Sequence, residues 1–270
     1  MKKIKHCVLT IAGSDSSGGA GIQADVKTIS ATGCYAASVI TALTAQNTLG
    51  VQAIQEISSH FVQQQLESVL SDLNIKAVKI GMLHQANIIL AVSSALKKFK
   101  PRHVVFDPVM VSKNGCQLID PDAIPLLIDI IFPEVTLITP NLMEAELLLN
   151  VKINNSSEQE SAAIRMGNQF KINVLIKGGH LHGHLSSDVL YLYADKQCHW
   201  FHAERIHSRN THGTGCSLSS AISSYLAKDY SIKDAVDYAK KYLTKAIESG
   251  KALQIGQGYG PVDHFYFLEN

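Results

Sequence analysis

The segment Asn210-Thr211-His212-Gly213-Thr214-Gly215-Cys216 can build an anion hole. Glycines let the backbone turn several N–H groups toward one point, and the helical run opening at Ser217-Leu218-Ser219 adds the positive potential of its N-terminus. A thiol placed there, Cys216, is expected to ionise below the usual ~8.5. A lone cysteine is by default a small buried hydrophobe, and its place in this loop is what makes Cys216 a candidate for chemistry. His212 reads two ways, as a phosphate contact or as a residue that shapes the turn.

Two acidic spots can serve the same chemistry. Asp107 follows an apolar run ending at Phe106, and Thr139-Pro140-Asn141-x-x-Glu144 follows one ending at Ile138. Either acid alone reads as a helix cap. Two at strand ends beside an anion hole suit Mg²⁺, which takes oxygen ligands and keeps waters. Lys177, in Lys177-Gly178-Gly179, offers a cation for phosphate oxygens. The glycine-rich stretch from Ala12 to Asp25 is neither G-x-G-x-x-G nor G-x-x-x-x-G-K-[ST]. It reads as a tight turn before a helix, or as a ligand loop in which the Asp25 carboxylate accepts from a hydroxyl or amine.

Positioning these groups falls to strands alternating with helices. Strands are expected at 7–11, 38–44, 77–80, 103–106, 135–138, 174–176, 188–193 and 197–201. Helices are expected over 59–72, 85–99, 122–131, 158–170, 215–228 and 232–248, with a further helical face at Ile22, Val26 and Ile29 that stops near Gly33. The helix at 158–170 shows a capping-box pattern in Ser157 and Glu160. Such alternation calls for an α/β fold: three layers, a central and mostly parallel sheet, and a site at the carboxyl ends of the strands. No linker divides residues 1–270, which read as one domain.

Composition narrows the function. The 270 residues carry 24 basic and 23 acidic side chains, a net charge of +1, which argues against a nucleic-acid scaffold. Apolar residues make up 46% of the chain and charged residues 17%, so it is neither disordered nor dependent on a disulfide framework. No run reaches ~18 apolar residues, so no membrane span is expected. The apolar stretch after Lys2, Lys3 and Lys5 breaks at Gly13. That is short for a secretory signal, and a cytoplasmic chain with reduced thiols is the expectation. Tyr191, Tyr193, Trp200 and Phe201 read as packing, and His180, His182 and His184 as an exposed loop.

The motifs together resemble the hydroxymethylpyrimidine/phosphomethylpyrimidine kinases of thiamine biosynthesis, in the ribokinase-like superfamily. The resemblance runs nearly end to end. It includes A-G-S-D-S-S-G-G-A-G-I-Q-A-D (12–25), V-I-T-A-L-T-A-Q-N-T (39–48), K-I-G-M-L (79–83) and D-P-V-M (107–110). It continues through I-T-P-N-x-x-E-A (138–145), K-G-G-H (177–180), N-T-H-G-T-G-C (210–216) and G-x-G-P-V-D-H-F (258–265).

The resemblance implies a pyrimidine site near Gly13, Asp25, Thr44, Gln46, Met82 and Val109. It implies Mg²⁺ at Asp107 and Glu144, with Asn141 beside it, and ATP phosphates near Lys177, Asn141, Thr211 and Lys113. Gly213, Thr214, Gly215 and Cys216 become the catalytic anion hole, with Lys177 beside it. Lys113-Asn114-Gly115 becomes a lid in which Asn114 stands where the family more often has serine. Cys216 occupies the position of the superfamily's usual aspartate base and agrees with this family. The implied activity is ATP-dependent phosphorylation of 4-amino-5-hydroxymethyl-2-methylpyrimidine and then of its monophosphate, by a homodimer. The alternatives are a pyridoxal or pyridoxine kinase of the same fold, or a silent vitamer-binding regulator.

Overall fold

In the computed structural model, residues 5–110, 118–179, 181 and 183–268 are described. The expected lid at 113–115 lies outside them, as do His180 and His182.

Nine strands form one sheet in the order β3-β2-β1-β4-β5-β6-β7-β8-β9. The strands are β1 (Cys7–Asp15), β2 (Tyr35–Asn47), β3 (Gly50–Glu56), β4 (Ile75–Ile80), β5 (His103–Phe106), β6 (Leu137–Ile138), β7 (Asn173–Ile176), β8 (Leu185–Leu192) and β9 (Gln197–Glu204). Pairing is parallel from β2 through β1, β4, β5 and β6 to β7, and antiparallel at both edges, β2–β3 and β7–β8–β9. The chain leaves β1 toward β2 on one side and returns to β4 on the other. That reversal opens a crevice at the carboxyl edge, where open α/β sheets bind ligands.

The helices are α1 (Gly21–Ala31), α2 (Ser59–Asp72), α3 (Ala86–Phe99), α4 (Ile124–Ile130), α5 (Leu142–Leu149), α6 (Ser156–Phe170), α7 (Thr214–Ala227) and α8 (Ile232–Gly250). They cover both faces, so the strands are buried on two sides and alternate between two apolar cores. Val104 and Phe106 enter one core with residues of α2, α3, α4, α5 and α6. Val105, between them, enters the other with residues of α7 and α8. The three-layer α/β expectation therefore holds. Tyr191 and Phe201 are buried, in keeping with packing roles.

Several local expectations need correction. The edge strand β3 was not anticipated; its pattern of exposure and a register shift at Ala45/Gln46 break the two-residue period. Helix α6 is not capped by Ser157 and Glu160. Asn155 is the N-cap, accepting from the Glu158 amide at 3.0 Å, while Glu160 accepts from Trp200 Nε1 at 2.6 Å. Helix α5, of which only the pair Asn141 and Glu144 was foreseen, is a separate element with Asn141 as its N-cap.

Candidate active site

The 210–216 loop, expected to form an anion hole, is held from three directions. Gly213 adopts φ +78°, and a Cβ there would stand 1.9 Å from the Gly19 carbonyl oxygen, so no other residue fits. The His212 amide donates to Gly260 O at 2.9 Å, and Asn210 Nδ2 donates to Gly250 O and Leu253 O at 2.7 Å each. The 258–265 motif thus acts as a brace for the loop. Helix α7 then starts at Thr214, and its first residues, Thr214, Gly215 and Cys216, line the cavity. Its buried Ser219, Ser223 and Ser224 satisfy their hydroxyls on carbonyls of the preceding turn, which lets this polar helix pack inside the protein.

Opposite the loop, three strand ends deliver charge. Thr139 Oγ1 donates to Asp107 Oδ1 at 3.0 Å, and Lys177 Nζ meets the same oxygen at 2.6 Å. Burial disfavours the Lys177 charge, but Asp107 and Glu144 outweigh it and raise its pKa. Glu144 closes a capping box with Asn141: its carboxylate accepts from the Asn141 amide at 2.7 Å, and its own amide donates to Asn141 Oδ1 at 3.0 Å. Burial pushes the Glu144 carboxyl up to about 7, against the pull of Lys177 and with the push of Asp107. Two carboxylates that disfavour each other's charge are a site that gains from a cation. This oxygen donor set fits Mg²⁺, which needs only one or two carboxylates beside phosphate oxygens. A Cβ on Gly215 would stand 3.4 Å from both Asp107 Oδ2 and Lys177 Nζ, so the anion hole adjoins the charged pair.

Cys216 is placed as expected but its acidity is not. Burial pushes its thiol up to about 11; Lys79 and a bond from the Gly21 amide oppose this, and Asp25 and Asp107 reinforce it. Desolvation and two nearby carboxylates outweigh the Lys79 charge and the Gly21 amide. At neutral pH the group is a thiol.

Part of the cavity lining is less polar. Met82, Val109 and Leu118 line it with Gly13, Thr44 and Gln46. A Cβ on Gly13 would stand 2.4 Å from Met82 Cε, so the thioether lies directly over the glycine. Asp25, expected as a substrate ligand, does not border the cavity. It is fully buried and accepts from Thr10 Oγ1 at 2.6 Å, Ser220 Oγ at 2.7 Å and Lys79 Nζ at 2.8 Å, which leaves little of the carboxylate for a ligand.

One cavity of about 650 Å³ therefore brings together Gly13, Thr44, Gln46, Met82, Val109, Asp107, Asn141, Glu144, Lys177, Thr211 and residues 213–216. It lacks Asp25, and Lys113 lies outside the described residues. Sequence reasoning missed Asp15, Lys79 and Arg205. Asp15 accepts from the amides of Ser17, Gly19 and Ala20 and so folds the first glycine loop. Arg205 donates to the carbonyls of Gly179, Leu181, Gly183 and Leu185, holding the turn after Lys177. Lys79 could have been found as a lysine amid apolar residues in a strand covered on both faces. Among the described residues no three His, Cys, Asp or Glu side chains form a metal cluster, and no helix is long and apolar enough to cross a membrane. Cys7, Cys34, Cys198 and Cys216 are free thiols.

An anion hole, a lysine and paired acids at the carboxyl edge of such a sheet are what phosphoryl transfer requires, and they define a ribokinase-like kinase. Residues 15–263 match the family model for phosphomethylpyrimidine kinase, and the chain belongs to that family. The hydroxymethylpyrimidine/phosphomethylpyrimidine kinase of Rhizobium meliloti is 48% identical, with 96% of each chain covered. The thiamine biosynthesis bifunctional protein ThiED of Geobacter sulfurreducens is 47% identical over 97% of this chain, which spans about half (53%) of that longer relative. A pyridoxal kinase from Bacillus subtilis, solved as an ADP complex, superposes with a TM-score of 0.90 at 33% identity, covering 99% of this chain and all of the other.

Proposed function

We propose that the protein transfers the γ-phosphoryl group of ATP to 4-amino-5-hydroxymethyl-2-methylpyrimidine and then to the resulting monophosphate, yielding the diphosphate used in thiamine biosynthesis. The observation that carries this reading is the meeting of two unlike half-sites in one cavity. The Lys177–Asp107 pair and residues 213–216 line it on the charged side, and Gln46, Met82 and Val109 line it too. The Gln46 amide offers a donor beside an acceptor, matching an aminopyrimidine edge, and the apolar side chains cover its ring faces.

Lys177 and the amides of Gly213, Thr214, Gly215 and Cys216 face the phosphoryl group in flight and stabilise its charge. Asp107 and Glu144, with Asn141, are the residues to hold Mg²⁺, which when bound neutralises charge on the nucleotide phosphates. Phosphoryl transfer of this loose kind needs positioning more than covalent help. A neutral Cys216 thiol suits the second acceptor, the ionised monoester, which has no proton to lose; the proton of the first acceptor's hydroxyl would pass to a phosphate oxygen or to solvent. The thiol crowds no charge against the monoester, which carries about −1.5 to −2 near neutral pH.

The relatives' names favour the pyrimidine over pyridoxal. An ADP-release assay with the hydroxymethylpyrimidine, its monophosphate and pyridoxal side by side tests the reading. Turnover of both pyrimidines above pyridoxal is expected; preference for pyridoxal, or no turnover, overturns it. We further propose residues 1–270 as one kinase domain, acting as a homodimer in the cytoplasm.

A further inference from the structure

The oxygen and nitrogen of the Gln46 side-chain amide exchange places on a half-turn, so its neighbours decide which end faces where. Thr44 Oγ1 lies 3.0 Å from the Ser14 carbonyl oxygen and 3.0 Å from Gln46 Oε1. His212 Nε2 lies 2.8 Å from Asp15 Oδ2 and 3.2 Å from Gln46 Nε2. These contacts conflict twice. A threonine hydroxyl has one proton, which two oxygens would have to share while the hydroxyl's own lone pairs meet no donor. An imidazole nitrogen cannot donate to Asp15 while accepting from an amide.

Asp15 settles the imidazole. Its Oδ1 accepts from the amide and hydroxyl of Ser17, and its Oδ2 from the amides of Gly19 and Ala20. Burial alone would raise the Asp15 pKa, but the bonds from His212 and Ser17 outweigh it and hold the group below its ordinary value. A carboxylate bonded in this way only accepts, so His212 Nε2 carries a proton. The ring is seated tightly: a Cβ on Gly19 would stand 2.4 Å from His212 Cδ2. The Gln46 backbone is equally fixed, exchanging bonds of 2.8 and 2.9 Å with the Ser16 hydroxyl.

A half-turn of the amide removes the donor–donor clash at His212 and gives Thr44 a proton to accept, leaving a single three-centre bond, from His212. We propose that His212, anchored on Asp15, is a specificity-determining residue of the acceptor site: it fixes the Gln46 amide with Oε1 toward His212 and Nε2 toward Thr44. The His212 proton is then shared between Asp15 and Gln46, and Thr44 donates to Ser14 while accepting from Gln46. The remaining donor and acceptor of Gln46 face the cavity in one order only. A ring whose hydroxymethyl group must point at the anion hole can match that order with an amine beside a ring-nitrogen acceptor. The 4-oxo counterpart, with an N–H beside a carbonyl, presents the reverse. This inference rests on Gln46 being the contact to the pyrimidine.

The test compares kcat/KM for the 4-amino substrate and its 4-oxo counterpart in the wild type, His212→Ala, His212→Gln and Gln46→Ala. His212→Ala frees the amide to turn, so the amino-over-oxo preference is expected to shrink about tenfold, mainly through KM, as reversed hydrogen bonds become matched. His212→Gln keeps a donor at about the reach of Nε2 and is expected to restore most of the preference. If Gln46→Ala loses the preference and His212→Ala keeps it, the His212 proposal falls and the pyrimidine reading stands. If Gln46→Ala changes neither KM nor preference, the reading of Gln46 as the pyrimidine contact falls first. Imidazole ¹⁵N NMR of the wild type avoids any folding defect in the variants: a protonated Nε2 is expected, and an unprotonated one overturns the proposal.

Discussion

Lys79 Nζ stands 2.8 Å from Asp25 Oδ2, and neither side chain has any exposure to solvent. A full ion pair is thus sealed beneath the cavity, where Thr10 and Ser220 complete the hydrogen bonding of the carboxylate. Burial disfavours the lysine charge, but Asp25, with Cys216 and Asp107, overcomes that and raises its pKa. Removing one partner leaves the other charge buried alone. Asp25→Asn and Lys79→Met are each expected to cost about 3–5 kcal/mol. That is a fall in Tm of roughly 6–20 °C for a chain of this size. The double variant should lose less than the sum of the two. Calorimetry of the three variants checks this; losses that add would show that the two charges do not interact.

Cys216 lies in the first turn of α7, at the position for which the resemblance implies an aspartate base in the wider superfamily. Its thiol, pushed up to about 11, is uncharged at neutral pH. Cys216→Asp introduces a charge where the monophosphate must sit, so the second phosphorylation is expected to fall at least about tenfold further than the first, equivalent to ~1.4 kcal/mol of added repulsion. Separate single-substrate assays measure the two steps. Equal losses would reject the electrostatic account.

The parallel strands and most helices were legible because both register as periodic apolar patterns, and the site loops because glycine and strand-end acids punctuate those patterns. Asp25 shows where this stops. Its position in a glycine-rich loop–helix segment looked like a ligand contact, but its partner Lys79 lies 54 residues away. Only the packing of α1 on β1, beside β4, reveals that the carboxylate is spent on that lysine. Cys216 misled for a related reason: the helix N-terminus is visible in the sequence, whereas desolvation and the nearby carboxylates of Asp25 and Asp107 come from elements distant in the chain. Strand β3 escaped because an edge strand with a bulged partner needs no regular apolar face.

Glu144 has two roles that substitution can separate. Its carboxylate caps α5 by accepting from the Asn141 amide, and it faces Asp107 across the charged end of the cavity. Glu144→Gln preserves an acceptor for the cap while removing the charge. Stability is expected to change by less than about 1 kcal/mol, while the Mg²⁺ concentration needed for half-maximal activity rises about tenfold or more, as loss of a carboxylate ligand implies. Asn141→Ala should instead cost about 1 kcal/mol of stability through the lost cap. Urea unfolding and Mg²⁺ titration of turnover read the two effects; an unchanged Mg²⁺ requirement in Glu144→Gln would remove this residue from the metal site.

His264 links the C-terminal brace to pH. Its ring is buried with Nε2 3.0 Å from Ser217 Oγ, and Tyr242 donates to its carbonyl at 2.9 Å. Burial, with help from Lys27, holds its pKa down at about 4. An unfolded histidine titrates near ~6.5, so between about 4 and 6.5 the unfolded chain takes up a proton that the folded chain refuses. Stability from this group is therefore intact above about 6.5 and falls as pH drops toward 4, by about 2 kcal/mol between pH 7.5 and pH 5. His264→Gln keeps an acceptor for Ser217 but cannot titrate. The test reads its pH profile, whatever its unfolding free energy at pH 7.5, and that profile should be flatter than the wild type's by about 2 kcal/mol. Parallel profiles for the two proteins would mean that His264 already carries its proton in the folded state or meets solvent there.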